Sequence, residues 1–310
     1  MMRRLVFVLG LSLLCLRSLA LVPVLPPVYS ENTGIAPAFF GPNAFPVPDM
    51  LDGRTCSTLR IETAGDAFWG YEKDWTADLS ARINIPLWTP RVNLSVWMPA
   101  VVEWYWMTTE RQHTCRIQDS IPISGHEAGD VHFSIDIHLL REARIAPDIA
   151  FRAGCKTASG GSYDKARYYD TPGYWFDAAI GKSMYIGRGG KVTTGHDDNT
   201  LVELRLAGSL GFLCWQTDNG RQNDAVMYGV QLLAKAEYVS LRATWGGYVG
   251  WEQYGDRPMT LKVQLAGHVK GFEPFLAYQY GIKDYPFHQF RVGLAYNIDI
   301  LSFKKKAAEQ

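Results

Sequence analysis

Charge of one sign is what this chain lacks: 31 basic side chains stand against 31 acidic ones, and only 20% of the 310 residues are charged. That balance leaves no basic excess to hold nucleic acid and no composition of the disordered kind. Cysteine is scarce. Cys15 falls in the first 20 residues, and Cys56, Cys115, Cys155 and Cys214 are widely spaced with no CxxC pair. Such spacing excludes a dense disulfide scaffold and offers no zinc-ligand pattern. After residue 20 no apolar run is long enough for a membrane-spanning helix. No sustained 3.6-residue period points to packed helices either. Gly187-Arg188-Gly189-Gly190 is followed by no helical pattern, so it reads as a turn rather than a phosphate loop.

What is present begins with an export signal. Arg3 and Arg4 precede the apolar Leu5–Leu16, and Ser18-Leu19-Ala20 supplies small residues for cleavage. Arg17 closes an apolar core too short for a helical anchor. Residues 1–20 are therefore expected to be removed as a signal peptide. Residues 21–55 hold Pro23, Pro26, Pro27, Pro37, Pro42, Pro46 and Pro48, which rules out a regular helix or ladder strand. Phe39, Phe40 and Phe45 are unusual for a linker. The segment reads equally as a flexible periplasmic leader or as a piece that tucks into the domain that follows.

From Cys56 onward the dominant signal is period-two alternation. In Asp130–Leu139, Val131, Phe133, Ile135, Ile137 and Leu139 share one side of an extended chain, and Asp130, His132, Ser134, Asp136 and His138 share the other. About twelve such segments recur, near 57–66, 73–86, 91–106, 129–141, 147–158, 173–186, 200–215, 224–238, 239–252, 259–270, 272–281 and 287–301. Many exceed ten residues, whereas sandwich strands average about five or six. Connections alternate between tight turns and longer polar loops, notably 107–128, 159–172 and 216–223. Aromatic residues gather near strand ends, among them Trp69, Trp88, Trp104, Trp106, Tyr168, Trp175, Trp215, Trp251, Tyr285 and Phe287. Long alternating strands, asymmetric connections and aromatic ends behind an export signal predict an all-β fold. The expected form is an antiparallel transmembrane β-barrel of about 12 strands spanning 56–303. A Pro-rich N-terminal extension precedes it, and residues 304–310 form a polar tail. An even strand number puts both chain ends on the short-turn, periplasmic side.

The last strand carries Arg291-x-Gly293-x-x-Tyr296-x-Ile298-x-Ile300. This pattern resembles the terminal-strand signal of outer-membrane β-barrel proteins, although the chain continues past it into Lys304-Lys305-Lys306. Over residues 56–303 the chain resembles uncharacterised outer-membrane barrel proteins of Gram-negative bacteria. The resemblance implies placement in the bacterial outer membrane, contact with its lipid and insertion by the β-barrel assembly machinery. It implies no activity.

If the apolar face meets lipid, the other face lines a lumen. Asp130, His132, Asp136 and His138 form its densest polar patch, and Arg152, Glu203, Arg205 and Arg242 lie on the same face of other strands. Residues two apart on a strand are about 6.6–6.8 Å apart along it, too far for a tight chelate between adjacent pairs. A hydrogen-bonded network is the expectation, with no metal and no cofactor. Acids and bases over the whole face nearly cancel, which fits paired charges or a narrow pore for small solutes better than a one-sign selective channel. Two rivals to a pore or structural envelope protein are an outer-membrane lipid- or glycan-modifying enzyme and a secreted β protein binding sugar or lipid. Outer-membrane lipases carry His-x-Ser-Asn, but His126-Glu127-Ala128-Gly129 has Ala where the nucleophile belongs. His196 sits in a polar connection with no nucleophile spacing around it.

Overall fold

The computed structural model describes residues 40–70, 73–114, 120–161, 167–168, 172–196, 199–216, 222–251 and 255–301. The signal-like segment, the first part of the Pro-rich stretch, Cys115 and the tail 304–310 lie outside the described residues. The fold is all-β. Its strands are β1 (Leu59–Gly70), β2 (Trp75–Pro86), β3 (Val92–Trp106), β4 (Ser124–Glu127), β5 (His132–Leu140), β6 (Asp148–Lys156) and β7 (Gly173–Gly187), then β8 (Val192–Thr193), β9 (Thr200–Gln216), β10 (Gln222–Lys235), β11 (Val239–Gly250), β12 (Met259–Gly267), β13 (Phe272–Lys283) and β14 (Phe287–Ile298). One short helix, α1 (Thr109–Thr114), follows β3. Among the described residues no helix is long and apolar enough to cross a membrane.

Twelve strands close into an antiparallel ring that follows chain order, and β14 returns to β1 through the register Leu59↔Ile298 to Gly70↔Phe287. All twelve strands anticipated from alternation are present. β4 and β8 are additional. β4 continues the line of β5: β5 pairs the first half of β3 (Val92↔Ile137 to Trp97↔His132) and β4 the second (Glu103↔Glu127 to Trp106↔Ser124). Gly129 N–H donates to Ala100 O at 2.8 Å across the gap, so 128–131 interrupts one wall strand rather than ending it. β8 merely extends β7 at Tyr185 and Ile186.

The barrel is inside-out with respect to a soluble protein. Phe133 and Ile135 of β5 are exposed, whereas His132, Ser134 and Asp136 between them are buried. The same holds around the ring, with Leu206 and Leu210 outward and Asp177, Ser183 and Arg205 inward. A second sheet would have covered the apolar faces of a sandwich. Here nothing among the described residues covers them, and ring closure satisfies the strand edges internally, the arrangement required in hydrocarbon.

Tight turns join β2 to β3, β5 to β6, β10 to β11 and β12 to β13 at one end, where only the β7–β9 connection (188–199, with β8) is long; most of the longer connections, including α1, lie at the other. Residues 40–58 do not sit outside. They run through the lumen from the long-loop end, where Arg111 donates to Phe40 O at 2.7 Å, to the short-turn end, where Thr55 bonds Pro90 O at 3.2 Å. β1 starts and β14 ends on the short-turn side, and the segment before β1 turns back up the interior; the course of residues 1–39 lies outside the described residues.

The aromatic residues divide in a way the strand-end pattern did not anticipate. Trp75, Trp104, Trp106, Tyr278 and Trp251 face outward. Trp69 stacks on His288 (centroids 5.7 Å) and Trp75 (6.0 Å), and Trp75 stands opposite Trp106, giving an outward row at the long-loop boundary. Trp175, Trp215, Tyr168, Tyr285 and Phe287 instead point inward and are buried. Trp175 and Trp215 pack with Phe40, Phe45, Tyr105, Met107, Met227 and Tyr248 in one core, and Tyr285 and Phe287 with Phe68 in another.

Candidate functional site

The lumen is the site, and its contents are set by side-chain parity. At the long-loop end it is sealed. Phe45 packs edge-on against Phe40 (5.3 Å) and Trp215 (5.8 Å), and Tyr285 donates to Pro42 O at 3.1 Å. Each Phe buried this way contributes roughly 1.5–3 kcal/mol. Just below, acids face one another across strands: Asp66 opposite Asp78, and Asp78 opposite Glu103. Like charges directly opposed are unfavourable, so donors are brought in from elsewhere. Asn43 of the threaded segment donates to Asp78 at 2.6 Å, and Arg167 donates to Glu103 at 2.7 Å.

Halfway down, Asp49 of the segment lies 2.9 Å from an Arg82 nitrogen and 3.0 Å from Lys262 Nζ. Near the short turns Arg54 reaches Glu203 at 2.7 Å, and Asp52 O accepts from Arg205 at 2.7 Å. The segment is thus anchored by apolar packing above and by ion pairs of alternating sign below. Asp49→Lys sets a third cation beside Arg82 and Lys262. Chymotryptic cleavage within 40–58 of the folded barrel is then expected to rise about tenfold, as a local destabilisation of ~1.4 kcal/mol would give. An unchanged digestion rate would show that Asp49 does not hold the segment.

The His/Asp patch read from the sequence is divided into three groups by partners from other strands. Asp130 pairs with buried Lys156 at 2.5 Å and accepts from Gly160 N–H at 2.6 Å. His132 lies flat on Trp97 (5.2 Å), its Nδ1 3.2 Å from Asp130 O. Asp136 accepts from Ser134 at 2.9 Å, while Arg152, its register partner, donates to Asp177 at 2.7 Å. His138 belongs to the short-turn end: its Nε2 is 2.8 Å from Asp148, which Arg205 also reaches at 2.9 Å. Arg205 further pairs with Glu142 at 3.0 Å, and Glu203 accepts from Ser183 at 2.8 Å. Arg242 joins none of these. Among the described residues no group of three or more His, Cys, Asp or Glu side chains is placed to hold a metal ion.

On the terminal strand Arg291 points inward to Glu62 (3.2 Å) and Asp66 (3.4 Å), while Tyr296 faces outward against Phe272. Gly293 has no room for a side chain beside the Phe275 ring and Ala64. Ile298 ends β14, so Ile300 lies beyond the strand rather than on its apolar face. His126 is on β4 with its side chain exposed, and His196 meets the edge of Tyr185. Cys56, Cys155 and Cys214 are free thiols.

Two features were missed in the sequence. Asn43, Asp49, Asp52 and Arg54 line the lumen from a segment with no alternation to reveal them; its aromatic content was the available signal. The balanced total of charges also hides a lateral separation. Inward acids gather on β1–β7 (Glu62, Asp66, Asp78, Glu103, Asp136, Asp148, Asp177) beside fewer bases (Arg60, Arg82, Arg152, Lys156), whereas on β9–β14 bases (Arg205, Lys235, Arg242, Lys262, Arg291) outnumber the acids Glu203 and Glu273. Between the segment and the β9–β14 wall remains a cavity of about 490 Å³ near the short-turn end.

No protein-family model and no curated protein matches the chain. Among solved structures it is similar to the β domain of the Bordetella autotransporter BrkA, at 10% identity over 78% of this chain and 100% of that one, TM-score 0.40. It is also similar to the translocator domain of the autotransporter NalP from Neisseria meningitidis (12% identity, 79% and 90% covered, TM-score 0.39). A third is the transport unit of the autotransporter AIDA-I from Escherichia coli (9% identity, 78% and 90% covered, TM-score 0.37). No residue role is carried over from similarities of this size.

Proposed function

We propose that this chain is a bacterial outer-membrane barrel, exported behind its first 20 residues, and that its lumen is a narrow small-solute path held shut by residues 40–58. The observation that carries this reading is the threaded segment. It seals the long-loop half with packed aromatics yet leaves an open, charged cavity at the other end. A purely structural barrel has no need of such a cavity, because its lumen can be filled by wall side chains. The outward apolar belt is the face offered to lipid, and the Arg291–Ile298 strand is the element offered to the assembly machinery.

Planar-bilayer recording of the intact chain and of a variant lacking residues 40–55 tests the proposal. Heat-modifiable gel mobility serves as the check of folding. The intact barrel is expected to be silent or nearly so, and the deletion to raise conductance by about tenfold or more, since an eight-to-twelve-strand lumen conducts only when unfilled. A folded deletion variant that stays silent would establish the structural reading instead. An intact chain that conducts freely would show that the segment is no plug. A protein that fractionates without detergent would remove the membrane placement.

A further inference from the structure

We infer that the cavity at the short-turn end is an oxyanion site, built on Lys235 and Arg242, for a small solute carrying a carboxylate or phosphate group. It occupies the lumen of the proposed pore but does not depend on conduction.

Five cations other than this pair line the cavity, and each is matched. Arg54 holds Glu203, Arg60 holds Glu273 at 2.8 Å, Arg82 and Lys262 share Asp49, and Arg291 holds Glu62 and Asp66. Lys235 and Arg242 also face the cavity, and among the described residues no carboxylate lies within ion-pair distance of either. The acids that would serve them are already engaged. Glu203 stands opposite Lys235 in the β9–β10 register but is turned to Arg54 and Ser183. Glu273 is turned to Arg60 and to His268 at 3.7 Å.

The two cations are diagonal neighbours on adjoining strands: Lys235 faces Ser240, and Arg242, two residues on, faces Leu233. Diagonal positions lie about 7–8 Å apart, within reach of one shared ligand for long side chains. Gln264 stands opposite Arg242 on β12 and adds an amide donor on the same wall. An ammonium, a guanidinium fork and an amide lining one recess make a donor set that a carboxylate or phosphate takes. A volume of about 490 Å³ admits a small organic solute. Lipid headgroups are outside its reach, because both side chains point into the ring. Both side chains are exposed at the open end of the cavity and are therefore free to meet a dissolved solute.

Titration calorimetry on the intact, folded chain in uncharged detergent, at low ionic strength, tests the site. Inorganic phosphate and succinate serve as separate probes. Saturable binding of at least one probe is expected, and the pair K235Q/R242Q should weaken it about tenfold or more, the loss of one charge-assisted contact. K270Q, which removes a cation from the β12–β13 turn outside the cavity, should leave binding unchanged. Phosphate alone or succinate alone each supports the site and names its class. No saturation with either probe, or equal weakening by K270Q, overturns it. Binding that persists in a barrel shown never to conduct would retain the site while removing the pore.

Discussion

Arg167→Met is expected to cost the folded barrel about 3–5 kcal/mol, the loss that follows when one partner of a buried ion pair is removed. Glu103→Gln at the other end of the same pair should cost less than half as much. The asymmetry comes from the register. Arg167 is 1% exposed and Glu103 fully buried. Arg167 Nε donates to Glu103 at 2.7 Å, Nη2 donates to Thr76 at 2.7 Å, and the guanidinium lies over the Tyr105 ring at 4.9 Å. Asp78 stands opposite Glu103 on β2. One guanidinium and the Asn43 amide therefore serve two facing carboxylates. Without the arginine both remain buried with no nearby cation. Tyr168 still donates to Glu103 at 3.1 Å, since burial and the adjacent acid push its hydroxyl well above its ordinary range, but a neutral donor does not replace a charge. Without the Glu103 charge, in contrast, Asp78 loses a like-charged neighbour. Urea unfolding in lipid vesicles, followed by tryptophan fluorescence, measures both. The double variant should be more stable than R167M alone, since neighbouring effects of this kind do not add. Equal small losses in the two single variants would show that water screens the pair.

The parts of this structure that were legible in the sequence are those decided by two media. Strands such as His132–Leu140 announce themselves because one face meets lipid and the other a polar interior, and the same argument found all twelve members of the ring. Parity also held more than was used. Trp215 shares the odd positions of Glu203 and Arg205 on β9, so its inward position was readable, and nearness to a strand end was the weaker guide. The lateral separation of charge was likewise latent, because ring order equals chain order in a simple up-and-down barrel. Three features were not legible. The threaded segment has no period, and only its contacts at Asn43, Asp49 and Arg54 reveal where it goes. The break between β4 and β5 is set by the close approach of Gly129 to Ala100, a tertiary matter. The separation of His138 from His132 depends on Asp148 and Arg205, which come from other strands.

Leu210→Arg supplies the test of which medium the apolar face meets. Leu210 is 65% exposed near the middle of the 17-residue β9, between Gly208 and Phe212 on the outward face. A water-exposed leucine on a soluble protein accepts arginine with little change, within about 0.5 kcal/mol. At the middle of a bilayer the same substitution in a barrel costs about 2–4 kcal/mol, moderated because the long side chain bends toward the interface and draws water with it. The matched control is Thr244→Lys, which places a cation at similar depth on β11 but inside the lumen, where Thr244 lines the cavity beside Gln231. Thr244 stands opposite Lys262 on β12, so the new ammonium meets a like charge, but at a hydrated lumen position, and the substitution is expected to cost about 1 kcal/mol, well below L210R. Vesicle unfolding of the two variants compares the faces directly: a large loss for L210R with a small one for T244K is the signature of acyl chains outside and water inside. Equal tolerance of both would mean that the outward face rests against water or another protein surface, and the alternation that runs through every strand would then need a different cause.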